Sequence, residues 1–454
     1  MTDDFERDYG RGLLEEDPMP AEPPAGAERE RALPSAPFAL HGAVLTPDVA
    51  IADGYVVVAG PTILSVDSAK PAGIMIIETD GIILPGLIDL HGHPEYNIFA
   101  AWEPPKLYTN RSRWRASKEY AAVVKDPLAV LKGAPTLERT LTRYAEARAL
   151  TSGTTSIQGT NGKFSSIEEA LVRNVDRRIF GQHKARSIVD LDRTTPADMA
   201  TLRKQITSGA VDSLYIHLAE GTDDVSRKEF DALVAGNLLT PATIVIHGTA
   251  LTTAQLDQVA AAGSKLVWSP QSNLRLYGQT TLAGEAIARG VTVGLGADWL
   301  PSGSPSLLAE HKVARQALVE QGHPATAQQL VRMITSVAAR IASLDDKLGL
   351  LAAGRPADIL VLAARHPDPW ESVVASMPGD IELVTIGGDL AYGRADWIGT
   401  LAPPGVTEPV VAWGRSMLVD TSYSVKTPAT PAPRLADLRR DLIARYPQTG
   451  PIFA

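Results

Sequence analysis

Two histidines separated by one residue, His91 and His93, are the first side chains whose type and spacing suggest chemistry. They follow an apolar run, residues 81–90, that has the length and composition of a β-strand. Because side chains alternate along a strand, both imidazoles would point to the same side. Two imidazoles held side by side at a strand end can bind one metal ion, although this triplet alone is a weak signal.

Three later apolar segments also end in polar side chains that can act on a metal ion or on water. These side chains are, in chain order, His217 with Glu220, then His247, and then Asp298. Strands that each present a functional group at the carboxyl end are typical of a (β/α)8 barrel with its site on that face. The sequence therefore predicts an α/β fold of the TIM-barrel type.

Composition excludes several classes of protein. The chain has 454 residues with 44% hydrophobic and 21% charged residues, which is ordinary for a globular protein of more than one structural unit. A formal net charge of −9 gives no basic surface for nucleic acid. Since there is no Cys, any metal must be held by His and carboxylate side chains. With no long apolar run and no signal-peptide core, we expect a cytoplasmic protein without membrane contact.

The whole pattern resembles the amidohydrolase superfamily, closest to its deaminase and chlorohydrolase branch. The order and spacing of the motifs carry this resemblance over residues 37–400. The motifs are Pro-Gly-Leu-Ile-Asp-Leu-His-Gly-His ending at His93, His217-Leu-Ala-Glu220, His247, Ser269-Pro-Gln-Ser-Asn-Leu-Arg-Leu276 and Gly296-Ala-Asp298.

The resemblance implies one divalent metal ion per chain, with zinc expected and ferrous iron as the alternative. The protein ligands it implies are His91, His93, His217 and Asp298. Branches with two metals use a carboxylated lysine as a bridge, and Lys184 is the only lysine near a strand end in the relevant interval. We expect a single metal because Lys184 lies beside His183 on an earlier strand.

The resemblance also implies roles for the other polar groups. Glu220 would carry a proton between water and the substrate. His247 would orient the attacking water or stabilise the tetrahedral intermediate, and Asp298 would accept a proton as well as bind metal. Contacts with the substrate are expected from Trp102, Arg111, Asn273 and Arg275.

We therefore predict a metal-dependent hydrolase, specifically an aminohydrolase (deaminase) of an amino-substituted nitrogen heterocycle. Glu220 favours deamination because related chlorohydrolases can lack the Glu after the metal-binding His. Hydrolysis of a cyclic amide, or of another C–N or C–halogen bond, is the alternative enzyme. A catalytically silent scaffold is the alternative of another class, and the full set of ligands argues against it. The predicted partner is a small molecule whose identity the sequence does not give.

Four parts of the chain are predicted. Residues 1–36, rich in Glu, Asp, Pro and Ala, indicate a disordered or extended tail. Residues 37–84 and 346–400 have β patterns, and the resemblance implies that they form one small discontinuous β-sandwich. Residues 85–345 form the barrel, and residues 401–454 form a C-terminal extension.

Three features of the pattern are left open. Little beyond one helix fits between residues 188 and 213, so one barrel strand is short, merged with residues 178–188, or absent. The irregular stretch 94–132 leaves the metal-bearing strand end, and we expect it to cover the site. A short amphipathic helix around residues 435–443 packs either on the barrel or on a second subunit of a homodimer.

Five further histidines are interpreted as structural rather than metal-binding. His41 and His183 fall in strand patterns. His311 shares one helical face with apolar residues, and His323 and His366 lie in loops beside glycine or proline.

Overall fold

The chain folds as a mixed α/β protein with one large mixed sheet and two parallel sheets. In the computed structural model, the described residues are 34–159, 170–176, 180, 185–402, 407–422 and 433–449. Of the predicted disordered tail, only its last three residues belong to this part of the chain.

Four strands rich in Val, Ile and Leu come first. They are β1 (Phe38–Leu45), β2 (Ala50–Ala59), β3 (Thr62–Asp67) and β4 (Met75–Pro85). β1 pairs antiparallel with β2, and β2 with β3. β4 departs from this antiparallel pattern. It pairs with β1 on the edge opposite β2 and runs parallel to β1.

Eight short parallel strands follow. They are β5 (Leu87–Asp89), β6 (Thr154–Ile157), β7 (Arg173–Asn174), β8 (Ala185–Ile188), β9 (Ser213–Leu218), β10 (Thr243–His247), β11 (Lys265–Trp268) and β12 (Thr292–Leu295). One sheet contains β5 to β7 and the other contains β8 to β12. A parallel bridge between Gly92 and Asp298 lies just beyond β5 and β12, so the first and last of the eight strands are neighbours.

The strand that the sequence left open is present in short form. β8, four residues within the segment 178–188, pairs parallel with β9. Most of the strand predicted at 178–183, together with His183 and Lys184, lies outside the described residues.

Helices fill most connections between the parallel strands. Those before β9 are α1 (Arg111–Arg115), α2 (Lys118–Tyr120), α3 (Asp126–Lys132), α4 (Pro135–Thr151) and α5 (Pro196–Thr207). Those after β9 are α6 (Asp224–Ala235), α7 (Thr253–Ala261), α8 (Pro270–Tyr277), α9 (Ala283–Ala288), α10 (Leu307–Glu320), α11 (Ala327–Met333) and α12 (Ser336–Ile341). Thr195, Thr252 and Thr326 begin α5, α7 and α11 with capping boxes, which satisfy free amides of the first turn.

The stretch 94–132, predicted to be irregular, consists largely of short helical pieces. Besides α1 to α3 it contains a 3-10 turn, Pro94–Tyr96, and a π-helical turn, Ala121–Lys125. The Asn110 and Ser117 side chains cap α1 and α2. These pieces are too short to produce the apolar periodicity by which helices are recognised in a sequence.

The C-terminal strands join the large sheet. They are β13 (Ile359–Ala363), β14 (Ile381–Ile386), β15 (Asp389–Gly393), β16 (Glu408–Ala412) and β17 (Arg415–Val419). The helical segments here are α13 (Pro369–Ala375), the 3-10 turn Pro378–Asp380, α14 (Ala395–Leu401) and α15 (Leu435–Arg445). β13 pairs antiparallel with β4, so that the strands before and after the parallel strands lie in one sheet.

Beyond residue 400, the described residues include two strands and a helix. β16 and β17 form an antiparallel pair, and β17 extends the large sheet through β15. The leucines of α15 are buried, and this helix packs on α3 and α4 of its own chain. Arg445 Nε donates a hydrogen bond to the Val130 carbonyl at 3.0 Å. Of the two alternatives for this helix, packing within the chain is therefore confirmed.

Apolar side chains fill the space beneath the parallel strand ends. Ile88, Tyr215, Ile244 and Val267, from four different strands, form one buried cluster. Full burial of such a side chain contributes about 1.5–3 kcal/mol each. This cluster supports the strand ends on which the polar groups stand. Across the described ranges, no helix combines the length and apolar character that crossing a membrane requires.

His41 on β1 gives a prediction about stability. Its imidazole lies between the carboxylates of Asp53 and Glu78 and stacks on Tyr55 at 4.2 Å. Burial lowers the pKa of His41, but the hydrogen bonds to Glu78 and Asp53 outweigh this and raise that pKa above 6.5. The protonated ring therefore contributes stability that is fully present below about pH 6.5 and is lost as the pH rises through the raised pKa.

We predict that His41→Gln lowers the free energy of unfolding by at most about 1 kcal/mol at pH 6, because the pair is solvent-exposed. At pH 9 the substitution should have less effect. Thermal unfolding at both pH values measures this difference. His366→Gln, which changes an exposed ring bonded to a backbone amide, is the control. An equal loss of unfolding free energy at both pH values would contradict a stabilising charge on His41.

Candidate metal and catalytic site

Three imidazole rings meet beyond the ends of β5 and β9. The Nε2 atoms are 3.2 Å apart for His91 and His93, 3.0 Å for His91 and His217, and 3.4 Å for His93 and His217. Three ring nitrogens at these distances cannot all carry protons, so their lone pairs converge on one point. A tetrahedral ion at about 2.0–2.1 Å from each nitrogen would hold them about 3.3 Å apart, and the observed spacing fits this.

Asp298 approaches the same point from the end of β12. Its Oδ1 atom lies 3.6 Å from Nε2 of both His91 and His93. Burial raises the pKa of the Asp298 carboxyl, and neighbouring carboxylates, including Glu220, raise it further. A cation at the cluster would stabilise the ionised form. Two overlapping sets of ligand atoms each lie within 4.8 Å of one another, namely His91, His217 and His247, and His91, His93 and Asp298.

Backbone packing between β5 and β12 sets this geometry. The Asp89 Oδ1 atom accepts hydrogen bonds from the His91 and Ala297 amides at 3.2 and 3.1 Å, which joins the two strand ends. Gly296 is required there because a Cβ atom would lie 2.4 Å from the His91 Cβ. Asp298 itself has a left-handed backbone with φ of 60°, a conformation that is uncommon outside glycine and is frequent at functional sites.

Hydrogen bonds hold two of the rings from behind. Ser269 Oγ lies 2.9 Å from His91 Nδ1, which orients the ring so that its Nε2 atom faces the cluster. Asn273 Nδ2 donates to His247 Nδ1 at 3.1 Å. The Thr280 hydroxyl donates to Asn273 Oδ1 at 3.3 Å, which sets the amide orientation. His247 therefore carries its proton on Nε2, the nitrogen that faces Glu220.

Glu220 stands two residues beyond β9, next to the imidazole cluster. Its Oε2 atom is 3.6 Å from His247 Nε2 and 3.5 Å from Arg111 Nη1. Its Oε1 atom accepts a hydrogen bond from the Tyr277 hydroxyl at 2.6 Å. Burial alone would raise the pKa of Glu220, but His247, Arg111 and the Tyr277 hydroxyl hold it below its ordinary value. The resting carboxylate is thus ionised and ready to accept a proton.

A cavity of about 90 Å³ opens onto these groups. The polar residues of its floor are His93, His217, Glu220, His247 and Asp298. One wall is aromatic and consists of Tyr96, Trp114, Tyr120 and Trp299. The remaining lining residues are Arg111, Arg115, Val189 and Asp190. The prediction that the stretch 94–132 covers the site is confirmed, because five of these residues come from it.

The charged wall is an ion-pair network. Asp190, just beyond β8, accepts from Arg111 Nη2 at 2.6 Å and from Arg115 Nη1 at 3.1 Å. Burial raises the pKa of Asp190, but the two guanidinium groups outweigh it and lower that pKa below its ordinary value. Asp190 was not among the predicted site residues, although its place after a strand in a polar turn was a usable signal.

Three of the expected substrate contacts lie away from the cavity lining. Trp102 is buried against Tyr108 and Tyr120, with ring centroids 6.1 and 6.3 Å away. Arg275 Nη1 donates to the Pro301 carbonyl at 3.3 Å. Asn273 stands behind His247, and of the four expected contacts only Arg111 lines the cavity.

The interpretation of His311 as a packed helix residue is confirmed. It lies on α10, it is fully buried, and its two ring nitrogens face backbone carbonyls of Leu307 and Val374.

The sequence analysis assigned no contact at the site to three aromatic residues, namely Trp114, Tyr277 and Trp299. Trp299 directly follows Asp298 and Tyr277 directly follows the motif ending at Leu276, so adjacency was the available signal.

The chain is similar in sequence to a family model and to a named deaminase. A model of the Amidohydrolase family matches residues 214–391. A 5-methylthioadenosine/S-adenosylhomocysteine deaminase of Desulforudis audaxviator is 26% identical over 357 residues, which are 72% of this chain and 83% of the relative.

Two solved structures share the fold. A zinc-bound adenosine deaminase from Xanthomonas campestris superposes with a TM-score of 0.68 at 16% identity, over 91% of this chain and 98% of that one. A variant of the atrazine chlorohydrolase of Arthrobacter aurescens, in complex with zinc and atraton, gives a TM-score of 0.60 at 19% identity, over 78% of this chain and 94% of that one.

The buried Asn273 amide gives a prediction about stability. Asn273→Ala should lower the free energy of unfolding by about 1–3 kcal/mol, because it leaves the buried His247 Nδ1 without its partner and removes the oxygen that accepts from the Thr280 and Thr281 hydroxyls. Denaturant unfolding measures the change. Gln316→Ala, which removes an exposed amide from α10, is the control and should change stability by less than about 0.5 kcal/mol. Equal, small losses in both variants would contradict the network.

Proposed function

We propose that this chain is a member of the amidohydrolase superfamily, in its deaminase-like branch, and that it hydrolytically removes an amino group from a nitrogen heterocycle. The observation that carries the proposal is Glu220 Oε2, an ionised carboxylate oxygen on the cavity floor, 3.6 Å from His247 Nε2. Deamination needs such a proton carrier beside the reacting water. The deaminase names of the relatives support the same reaction.

We infer that one divalent ion, zinc, is held by His91, His93, His217 and Asp298. The converging Nε2 atoms and the Asp298 Oδ1 atom support this donor set, which contains only nitrogen and oxygen as zinc accepts. His247 is assigned to the substrate side because its Nε2 atom carries a proton. A divalent ion held there would lower the pKa of water towards neutrality and so make a nucleophile available.

Glu220 would move the protons of the reaction. Its Oε2 atom takes a proton from the attacking water and delivers it to the ring nitrogen next to the amino-bearing carbon. Protonation of that nitrogen makes the carbon electrophilic, so that the C–O bond forms and a tetrahedral intermediate results. General acid–base groups of this kind contribute roughly 10² to 10⁴-fold to the rate.

His247 and Asp298 would complete the reaction. The Nε2–H group of His247 donates a hydrogen bond to the new oxygen, where negative charge develops. Asp298 accepts the second proton of the water and passes it to the amino group. The C–N bond then breaks, ammonia leaves, and the ring retains the oxygen from water.

The substrate class follows from the cavity walls. The aromatic side chains of Trp114 and Trp299 offer faces on which a planar heterocycle can stack. The network of Arg111, Arg115 and Asp190 offers charged hydrogen-bond groups for a polar substituent of that ring. Together with the adenosine-related names of the relatives, these walls support an aminopurine derivative as the substrate.

We infer that residues 85–345 close as one eight-stranded barrel. The bridge between Gly92 and Asp298, which joins the first strand end to the last, supports this closure. Residues 37–84 and 346–400 would form the second unit, which the β4–β13 pairing supports. The predicted homodimer and cytoplasmic location stay predictions.

We predict one equivalent of zinc per chain by elemental analysis after metal-replete expression. His91→Ala should lose the metal and the activity together, because His91 Nε2 contacts the ligand atoms of both neighbouring histidines. His366→Gln, in an exposed loop, should keep both. Two equivalents per chain, or activity that survives the loss of metal, would contradict the mononuclear mechanism.

We also predict that turnover releases ammonia and incorporates one oxygen atom from ¹⁸O-labelled water. A screen of aminopurines, aminopyrimidines, aminotriazines and cyclic amides, followed by ammonia assay and mass spectrometry, tests this. Products that gain a whole water without losing ammonia would replace deamination with cyclic-amide hydrolysis. A metal-loaded protein that hydrolyses no compound in the screen would favour the silent scaffold.

A further inference from the structure

A buried chain of two hydrogen bonds ends on Glu220. The Trp114 indole nitrogen lies 2.8 Å from the Tyr277 hydroxyl oxygen, which lies 2.6 Å from Glu220 Oε1. All three side chains are buried. The chain links α1, which covers the cavity, through the end of α8 to the carboxylate on the cavity floor.

The direction of both hydrogen bonds is fixed by chemistry. An indole N–H can only donate, so the Tyr277 oxygen accepts from Trp114. The single Tyr277 proton is then donated to Glu220. Burial raises the pKa of the Tyr277 hydroxyl, and the neighbouring Glu220 carboxylate raises it further, so that this proton remains in place.

Tyr277 is one of four contacts that α8 and its N-cap residue make with the site. Ser269 contacts His91, Ser272 contacts Asp298, Asn273 contacts His247 and Tyr277 contacts Glu220. These four residues recur at helical spacing, so they lie on one face. This face of α8 therefore holds groups from four different strand ends in one arrangement.

We propose that Tyr277, oriented by Trp114, is a positioning residue that binds Glu220 Oε1 and leaves Oε2 as the oxygen that carries the proton. The inference rests on the proposed role of Glu220 in hydrolysis. Without the Tyr277 hydroxyl the carboxylate can rotate about its last bond, and either oxygen can turn towards Arg111. Small misplacements of a reacting group cost as much as roughly 10²-fold in rate.

The test is a kinetic cycle of Tyr277→Phe, Glu220→Gln and the double variant. We expect Tyr277→Phe to lower kcat by about 10- to 100-fold. Metal content should be unchanged and KM should change less than about threefold, because Tyr277 lies outside the cavity lining. In the Glu220→Gln background the same substitution should lower kcat by less than about threefold, because the proton carrier is already lost. Tyr392→Phe, at a buried tyrosine of β15, is the matched control and should retain kcat.

Equal losses from Tyr277→Phe in both backgrounds, or an effect on KM alone, would overturn the inference. Failure of the proposed deamination would instead be seen in the products of the wild-type enzyme. If the wild type opens a cyclic amide instead of releasing ammonia, the cycle is run on that substrate, since Glu220 carries a proton in both reactions.

A second measurement needs no substrate. A hydrogen bond to a carboxylate is about twice as strong as one to a neutral amide. Tyr277→Phe should therefore lower the denaturant midpoint more in the wild type than in Glu220→Gln. Equal shifts in the two backgrounds would overturn the contact on which the inference rests.

Discussion

The convergence of three buried imidazole nitrogens is the constraint on which the rest of the site depends. Nε2 atoms separated by 3.0–3.4 Å repel one another through their lone pairs unless a cation lies between them. Two strand ends supply the rings, and Asp298 approaches from a third. The Asp89 carboxylate ties two of these ends together, and Gly296 allows their close approach. The backbone thus sets the positions of the donor atoms.

Two short helices complete the arrangement from different directions. α8 makes hydrogen bonds to the metal cluster, to His247 and to Glu220, so it sets orientations from behind the site. α1 contributes Arg111, Trp114 and Arg115 to the cavity and pairs with Asp190 beyond β8. α1 therefore contributes both to the cavity lining and, through Trp114 and Tyr277, to the hydrogen bonds that end on Glu220.

The sequence was most informative where the spacing of residues directly determines geometry. The His-x-His triplet and the polar residues after apolar runs predicted which side chains meet, because parallel strands bring their carboxyl ends together. Asn273 shows the limit, since a motif gives the residue type but not the direction in which its amide points. Asp190 and Tyr277 depend on contacts with residues 57 to 163 positions earlier, which no local pattern encodes. α1 to α3 are too short for a periodic signal, and β16 is obscured by its proline.

The most direct test of the central claim is anomalous diffraction at the zinc edge from crystals of the metal-loaded protein. The account predicts one strong peak per chain, bonded to His91, His93, His217 and Asp298. Glu220 and His247 should face it without binding it. A peak bonded to His91, His217 and His247 with Asp298 turned away, or two peaks in one chain, would contradict the assignment of ligands and the proposed roles that depend on it.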